Sequence, residues 1–289
     1  MVNSLIQTKD IGIESNYDIP ETFGGVPIRP IANISTSMGT FMALYGGGGV
    51  GKTATIGKVA HSHGPLLYVD AEGGGKSITH IPGIHIAEVT TWREISSIAR
   101  DLKGKAGKHP FKTICFDNLS EIQSLCLNDI VATGSPVQIQ HYGEATARML
   151  KLTRDLREVA RTQGVHVFLI AWDSPEMSEG GVVTKRGVGF TPSLARQFPG
   201  IVTYVGYLQA VDGYPTIRRL SFTVSSKTDA KFRVSPSEAI AEIPLELWIR
   251  QEDNILGDII ETEAKGKKFP ANKYGKPTDA EKEKDRVRI

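Results

Sequence analysis

Short apolar runs alternate with segments of helical period from residue 41 onward. The runs read FMALY, LLYVD, IHIAEV, TICFD and VHVFLIAW, at positions 41–45, 66–70, 84–89, 113–117 and 165–172. Apolar runs of this length, separated by helical segments, are typical of βαβ units. The pattern therefore predicts an α/β fold with a mainly parallel sheet flanked by helices.

Two further patterns complete this expectation. Between residues 144 and 163, apolar side chains recur at helical spacing with charges between them, and Gly164 follows as a C-cap. Later, IVTYVGYLQ and IRRLSFTVS flank the turn sequence VDGYP. We predict a crossover helix before the fifth strand and a C-terminal β-hairpin at the edge of the sheet.

The pattern also suggests boundaries. Residues 1–40 mix polar residues with Pro and Gly without a sustained period, which predicts an irregular N-terminal arm. The periodic core spans 41–248. The remainder, 249–289, becomes highly charged and poor in apolar residues from Lys265 onward, so we expect a disordered tail whose lysines are solvated rather than a binding arm.

Composition narrows the function classes. The 289 residues are 40% hydrophobic, enough for one large α/β core, and 34 basic against 32 acidic residues leave a net charge of +2. That balance excludes nucleic-acid binding by bulk charge but leaves a local basic groove open. Cys115 and Cys126 lack ligand spacing, and the chain shows neither a signal pattern nor a bilayer-spanning run. We expect a cytoplasmic protein with reduced thiols and no membrane partner.

The glycine-rich stretch YGGGGVGKT carries the strongest chemical signal. It fits GxxxxGK[ST] between a predicted strand and a predicted helix. Phosphate oxygens need several converging backbone N–H donors, in backbone conformations that glycine adopts most readily. Lys52 would neutralise the β and γ phosphates, and the Thr53 hydroxyl would face Mg²⁺. The predicted cofactors are a nucleoside triphosphate and Mg²⁺, and the absence of an N-K-x-D guanine motif favours ATP over GTP. The residues of this site are Gly46, Gly47, Gly48, Gly49, Val50, Gly51, Lys52 and Thr53.

Acidic residues at two other strand ends are candidates for metal binding and catalysis. Asp117 ends the run TICFD and suits the Mg²⁺ water shell, although an Asp there also suits a helix N-cap. Many P-loop ATPases place a water-activating Glu next, but Asn118 stands here. The candidate base is therefore Glu72 in VDAEGG, with an exposed loop residue as the alternative; Asp70 would cap the glycine turn.

The motifs YGGGGVGKT, VDAEGG and FDN, in this order, resemble the RecA-like P-loop ATPase family over about Phe41 to Leu247. The forms that these motifs take in this chain are most similar to those of phage-encoded ATP-dependent single-strand annealing proteins. The resemblance implies a RecA-like core that hydrolyses ATP, binds single-stranded DNA and promotes annealing or strand pairing in recombination. A helicase-type DNA-remodelling ATPase, or a nucleotide-dependent switch or scaffold without DNA binding, remains an alternative.

The resemblance also implies a sensor and a DNA-binding loop. Asp173 stands where the family senses the γ phosphate, more often with an amide, and a cap for the following turn is the alternative. In the next segment Lys185, Arg186, Phe190 and Arg196 offer cations and an aromatic ring to a single strand. A loop that covers the nucleotide, or is merely flexible, is the competing interpretation.

Near the end of the core, Lys231 and Arg233 lie two apart and so share one side of a predicted strand. By the same resemblance, such a pair would enter the active site of a neighbouring subunit and act there in catalysis. This implies a ring or filament of identical subunits, with a single-strand-binding protein as a further candidate partner. A solvated strand face is the alternative for the pair.

Overall fold

The computed structural model describes residues 22–23, 26–27, 38–104, 108–131, 135–223, 225, 228–232 and 242–286. The chain forms two compact units, 1–36 and 37–289. In the first unit, the described residues are two short antiparallel strands, β1 (Thr22–Phe23) and β2 (Val26–Pro27). The rest of the predicted arm before residue 38 lies outside the described residues.

The second unit contains the sheet and the helices around it. Its strands are β3 (Phe41–Gly46), β4 (Leu66–Asp70), β5 (Ile84–Glu88), β6 (Thr113–Asp117), β7 (His166–Met177), β8 (Val183–Val188), β9 (Tyr204–Val211), β10 (Tyr214–Ser221), β11 (Lys231–Phe232) and β12 (Glu246–Ile249). Its helices are α1 (Lys52–Gly57), α2 (Ala60–His63), α3 (Trp92–Gly104), α4 (Leu119–Ile130), α5 (Ile139–Gln163), α6 (Pro192–Ile201), α7 (Ile255–Lys265) and α8 (Asp279–Arg286), with 3₁₀ turns at Gly74–Ile78 and Ala271–Tyr274.

The strand order is β12-β10-β9-β3-β7-β6-β4-β5. The strands from β9 to β5 run parallel, whereas β10 and β12 are antiparallel additions at one edge. All five apolar runs form strands, and α5 ends at the predicted Gly164 C-cap. β9 and β10 form the predicted hairpin, but β12 rather than β10 lies at the edge of the sheet. The prediction of a mainly parallel α/β fold is confirmed. The carboxyl ends of β3, β4, β6 and β7 therefore meet at one edge of the sheet.

Alternating side chains of β3 divide the core between the two faces of the sheet. Phe41, Ala43 and Tyr45 pack in a cluster with residues of α3, α4, α5 and α6. Met42 and Leu44 pack on the other face, with residues of α1 and α7. Because both faces of β3 are buried, the loop that follows it starts from a fixed position.

The tail is not the disordered segment that its charge suggests, and the core does not end near residue 248. The Ile and Leu residues of α7, together with Phe269 and Tyr274, are buried in the second cluster, and the rings of Phe269 and Tyr274 stack with centroids 5.4 Å apart. A short apolar stripe is too small for a core of its own. It is sufficient to cover a sheet face that would otherwise stay open.

A half-buried carboxylate joins the tail to the sheet. Glu263 of α7 accepts hydrogen bonds from the Thr40 hydroxyl at 2.5 Å and from the Tyr204 hydroxyl at 2.9 Å. Burial raises the pKa of Glu263, and these two donors oppose that shift. The contacts place α7 against the beginnings of β3 and β9.

Replacing Phe269 with Ala should lower the free energy of unfolding by about 3–5 kcal/mol, because the ring is buried and its removal leaves a cavity. Denaturant unfolding of the purified protein would measure this. The exposed neighbour in Lys268→Ala is the matched control and should change the free energy by less than about 0.5 kcal/mol. Equal stability of the two variants would contradict the packed tail.

Candidate active site

The glycine-rich loop joins β3 to α1 at the centre of the sheet. Gly46, the last residue of β3, lies so close to β9 that a Cβ atom would be 2.1 Å from the carbonyl oxygen of Leu208. Gly51 has a φ of +92°, which disfavours other residues, and α1 begins at the next residue. Close approach and left-handed backbone thus explain the glycine at these two positions.

Lys52 is 8% exposed, and its amine lies back over the loop. It donates hydrogen bonds to the carbonyl oxygens of Gly46 at 2.8 Å and of Gly47 at 2.9 Å. Burial lowers the pKa of Lys52, while the negative charges of Asp117, Glu72 and Asp173 raise it. The loop therefore holds a lysine amine that is attracted by three of the carboxylates that the sequence analysis singled out.

Asp117 ends β6 and points at the first turn of α1. Its Oδ2 accepts a hydrogen bond from the Thr53 hydroxyl at 2.5 Å and another from the Tyr68 hydroxyl of β4 at 2.7 Å. The side chain is 2% exposed, and burial raises the pKa of Asp117, whereas the two donors lower it. The structure brings the two predicted metal ligands into direct contact.

These oxygens fit magnesium. Mg²⁺ prefers hard oxygen donors, uses one or two protein carboxylates, and takes its remaining ligands from water and substrate phosphates. Thr53 and Asp117 supply a hydroxyl and a carboxylate beside the phosphate loop. Among the described residues, no cluster of three or more His, Cys, Asp or Glu side chains forms a complete metal cage. The pair therefore suits an ion that arrives with a nucleotide.

Glu72 lies exposed beyond the end of β4, and its carboxylate accepts hydrogen bonds from the N-cap residue of α4 and from a residue of β7. The Asn118 amide donates to Oε2, and the Trp172 indole donates to Oε1 at 3.1 Å. Asn118 also caps α4 by accepting from the backbone N–H of Glu121 at 2.8 Å. Asn118, which occupies the sequence position where many P-loop ATPases have the catalytic Glu, therefore orients Glu72.

Asp70 has the capping role that the glycine turn suggested. Its Oδ1 accepts from the backbone N–H groups of Glu72, Gly73 and Gly74 at 3.1, 2.7 and 3.2 Å. Its Oδ2 accepts from that of Gly75 at 2.9 Å. Four donors on one buried carboxylate fix the loop that presents Glu72.

Residues 38–234, more than half of the chain, match the AAA domain family. The chain belongs to this family. The match ends before β12, so α7 and α8 lie outside it. No curated protein matches the chain. Membership in the AAA domain family supports nucleotide binding and ATPase activity in general.

Within the described part of the chain, no helix is long and apolar enough to cross a bilayer.

In this AAA domain, the segment after β7 differs from the expected mobile loop. The end of β7, from Asp173 to Met177, pairs with β8 as an antiparallel hairpin. Arg186 of β8 forms an ion pair with Asp173, and Lys185 pairs with Asp229 at 2.6 Å. The candidate sensor and one candidate DNA contact are therefore bonded to each other.

The other two candidate DNA contacts lie beyond β8. Phe190 is half-buried, and its ring packs edge to face on Phe198 of α6 with centroids 5.0 Å apart. Part of the ring is thus packed on Phe198, and base stacking on Phe190 stays a prediction. Arg196 lies exposed on α6. Of the three candidate cations, Arg196 is exposed, whereas Lys185 and Arg186 are partly exposed within their ion pairs.

The expected projection of Lys231 from an exposed edge also differs from the structure. Its amine donates to the carbonyl oxygens of Pro199 and Val202 at the C-terminal end of α6. A cation there satisfies carbonyls that the helix leaves unpaired. Arg233, its proposed companion, lies outside the described residues. The role of the pair in a neighbouring active site remains a prediction.

Three side chains of the site carried no usable sequence signal. Tyr68 and Trp172 are aromatic residues within or at the end of apolar runs, where packing is the ordinary explanation. Arg218 lies in the hairpin strand β10, yet its Nε donates to the carbonyl oxygen of Val50 in the phosphate loop at 2.9 Å. Their contacts depend on strand order, which the sequence pattern does not specify.

Proposed function

We propose that this AAA domain is a Mg²⁺-dependent ATPase that binds single-stranded DNA and promotes annealing or strand pairing, like the phage-encoded annealing proteins that its motifs resemble. The observation that carries the ATPase is the convergence of Lys52, the Thr53–Asp117 pair and Glu72 at one sheet edge. Phosphate binding, metal binding and proton transfer each have a group there.

Each group has a distinct role. The backbone N–H groups of the glycine-rich loop and the Lys52 amine bind the phosphates, and Thr53 and Asp117 would hold Mg²⁺, which neutralises phosphate charge when bound. Glu72 orients a water molecule and accepts its proton as the water oxygen bonds to the γ phosphorus. The bond to the leaving oxygen of ADP breaks in the same reaction. Asn118 and Trp172 hold the Glu72 carboxylate in position.

The DNA-binding part of the proposal is supported by the resemblance and by the hairpin. Arg186 of β8 forms an ion pair with Asp173, the candidate sensor of the γ phosphate. Arg196 lies exposed on α6, the helix that follows. The ion pairs of Lys185 and Arg186 are partly exposed, so DNA phosphates can compete for these cations at small cost. A DNA strand bound there would compete with Asp173 for Arg186 and so change the contacts of the candidate sensor.

The test is ATP turnover by the purified protein with and without an unstructured single-stranded oligonucleotide, together with binding of the labelled strand at low and moderate salt. We expect binding that weakens with salt and a turnover that rises when DNA is present. Annealing of complementary strands is then the next assay. The oligomeric state, measured with and without ATP and DNA, tests the proposed ring or filament.

The two alternatives give different results. Unwinding of a tailed duplex would favour a helicase-type remodelling ATPase. Turnover without DNA binding or stimulation would favour a nucleotide-dependent switch or scaffold and would remove the DNA role. If binding occurs, an Arg196→Ala variant should weaken it without changing ATP affinity, because that side chain lies on α6 rather than in the phosphate loop.

A further inference from the structure

One carbonyl of the phosphate loop is held from outside the loop. Val50 precedes Gly51, and its carbonyl oxygen accepts a hydrogen bond from Arg218 Nε at 2.9 Å. The two residues are 168 positions apart in the chain. Arg218 also donates through Nη1 to the carbonyl oxygen of Ile217 at 3.1 Å. A charged donor from the hairpin thus reaches the turn immediately before α1.

The sheet brings Arg218 to this position. In β10 it lies opposite Ala210 of β9 and Ile249 of β12. Residues two apart in a strand share a face, so Arg218 lies on the side of Leu220, which packs in the cluster that contains α1 residues. The neighbouring Arg219 lies on the opposite side, where its guanidinium is 6.0 Å from the ring centroid of Trp248.

Peptide geometry gives this contact a consequence for phosphate binding. The Val50–Gly51 peptide is trans, and in a planar trans peptide the C=O and N–H bonds point in opposite directions. A donor that fixes the Val50 carbonyl against β10 therefore fixes the Gly51 N–H on the other side of the same plane. Gly51 allows the arrangement because its φ is +92°.

We infer that Arg218 is a positioning residue for the nucleotide phosphates: it holds the Val50–Gly51 peptide so that the Gly51 N–H faces the phosphate position, and its charge favours the anion there. The inference rests on the proposed ATPase function. It adds a residue from outside the glycine-rich motif to the phosphate site, contributed by the antiparallel edge of the sheet.

The C-terminal helix fixes the part of β10 that precedes Arg218. The pairing of β10 with β9 is irregular between Tyr214 and Arg218. Within that interval, the Thr216 backbone N–H donates to Asp285 Oδ2 at 3.0 Å, and the Thr216 hydroxyl donates to Oδ1. Asp285 belongs to α8 and is 4% exposed. The strand that presents Arg218 to the phosphate loop is therefore anchored by the tail.

The experiment compares Arg218→Met, Arg218→Lys and Arg219→Met with the unmodified protein. Met keeps an unbranched apolar stem, although a shorter one, and has none of the donors of Arg. ATP affinity in Arg218→Met should fall about 10- to 100-fold, the expected effect of losing a charged hydrogen bond. KM for ATP should rise by more than kcat falls. Arg218→Lys should recover part of the affinity, and Arg219→Met should bind ATP like the unmodified protein.

A merely structural role predicts a different result. In that case Arg218→Met would lower the melting temperature but leave KM and ATP affinity unchanged, and this outcome would overturn the inference. Equal ATP affinity in Arg218→Met and the unmodified protein would overturn it as well, while leaving the ATPase proposal intact. Absence of ATP binding by the unmodified protein would overturn both.

Discussion

Glu72→Gln is expected to lower the ATP turnover number about 10²- to 10⁴-fold, the range that a positioned general base contributes. The amide is nearly isosteric with the carboxylate and still has an oxygen for one of the donors from Asn118 and Trp172. It cannot accept a proton from water at neutral pH. ATP affinity should stay within about twofold, because the phosphate loop is unchanged.

Single-turnover kinetics together with binding of a fluorescent ATP analogue would separate these two effects. Glu88→Gln is the matched control, since Glu88 is an exposed carboxylate at the end of the adjacent strand β5. It should leave both quantities unchanged. Turnover in Glu72→Gln within about threefold of the unmodified protein would rule out Glu72 as the base, because general-base catalysis contributes far more than that.

Lys52→Ala should weaken ATP binding and reduce turnover by at least about 10²-fold, the usual cost of losing one preorganised charge from such a site. The amine is buried, donates to two loop carbonyls and is attracted by the negative charges of three carboxylates. Without it, those negative charges act on the phosphates uncompensated. Direct binding and steady-state turnover are the measurements, with thermal unfolding to show that the variant folds.

Lys58→Ala serves as the control for that experiment. Lys58 lies just beyond the end of α1, but its amine donates to the backbone carbonyl of Gln251, in the tail. Its loss should therefore leave turnover unchanged. ATP binding by Lys52→Ala equal to that of the unmodified protein would contradict the assignment of the glycine-rich loop as the phosphate site.

Much of the candidate site was predictable, because its residues follow short apolar runs that the sequence pattern assigns to strands. In a parallel sheet the carboxyl ends of such strands share an edge, so Lys52, Glu72 and Asp117 were expected to meet there. The spacing of the glycine-rich motif predicted that a phosphate binds at this edge. What the pattern does not contain is lateral strand order, and the contacts of Arg218 and Trp172 depend on it.

The tail and the hairpin show a second limit. Composition describes whether a segment can form a core alone, and the charged tail cannot. It does not describe an open sheet face elsewhere in the chain, which is what α7 covers. Similarly, the cations after β7 indicate nucleic-acid contact, but their acidic partners become neighbours only in the folded chain: Asp173 reaches Arg186 through the β7–β8 hairpin, and Asp229 reaches Lys185 from the segment before β11.

The bond between Thr40 and Glu263 spans 223 residues, and this has a consequence for synthesis. A chain emerging from the ribosome exposes β3 long before α7 exists. Until α7 emerges, Met42 and Leu44 lack part of the cluster that buries them. A nascent or truncated chain would present this apolar sheet face to other molecules, a surface prone to aggregation. Completion of the nucleotide-binding core therefore awaits the translation of α7.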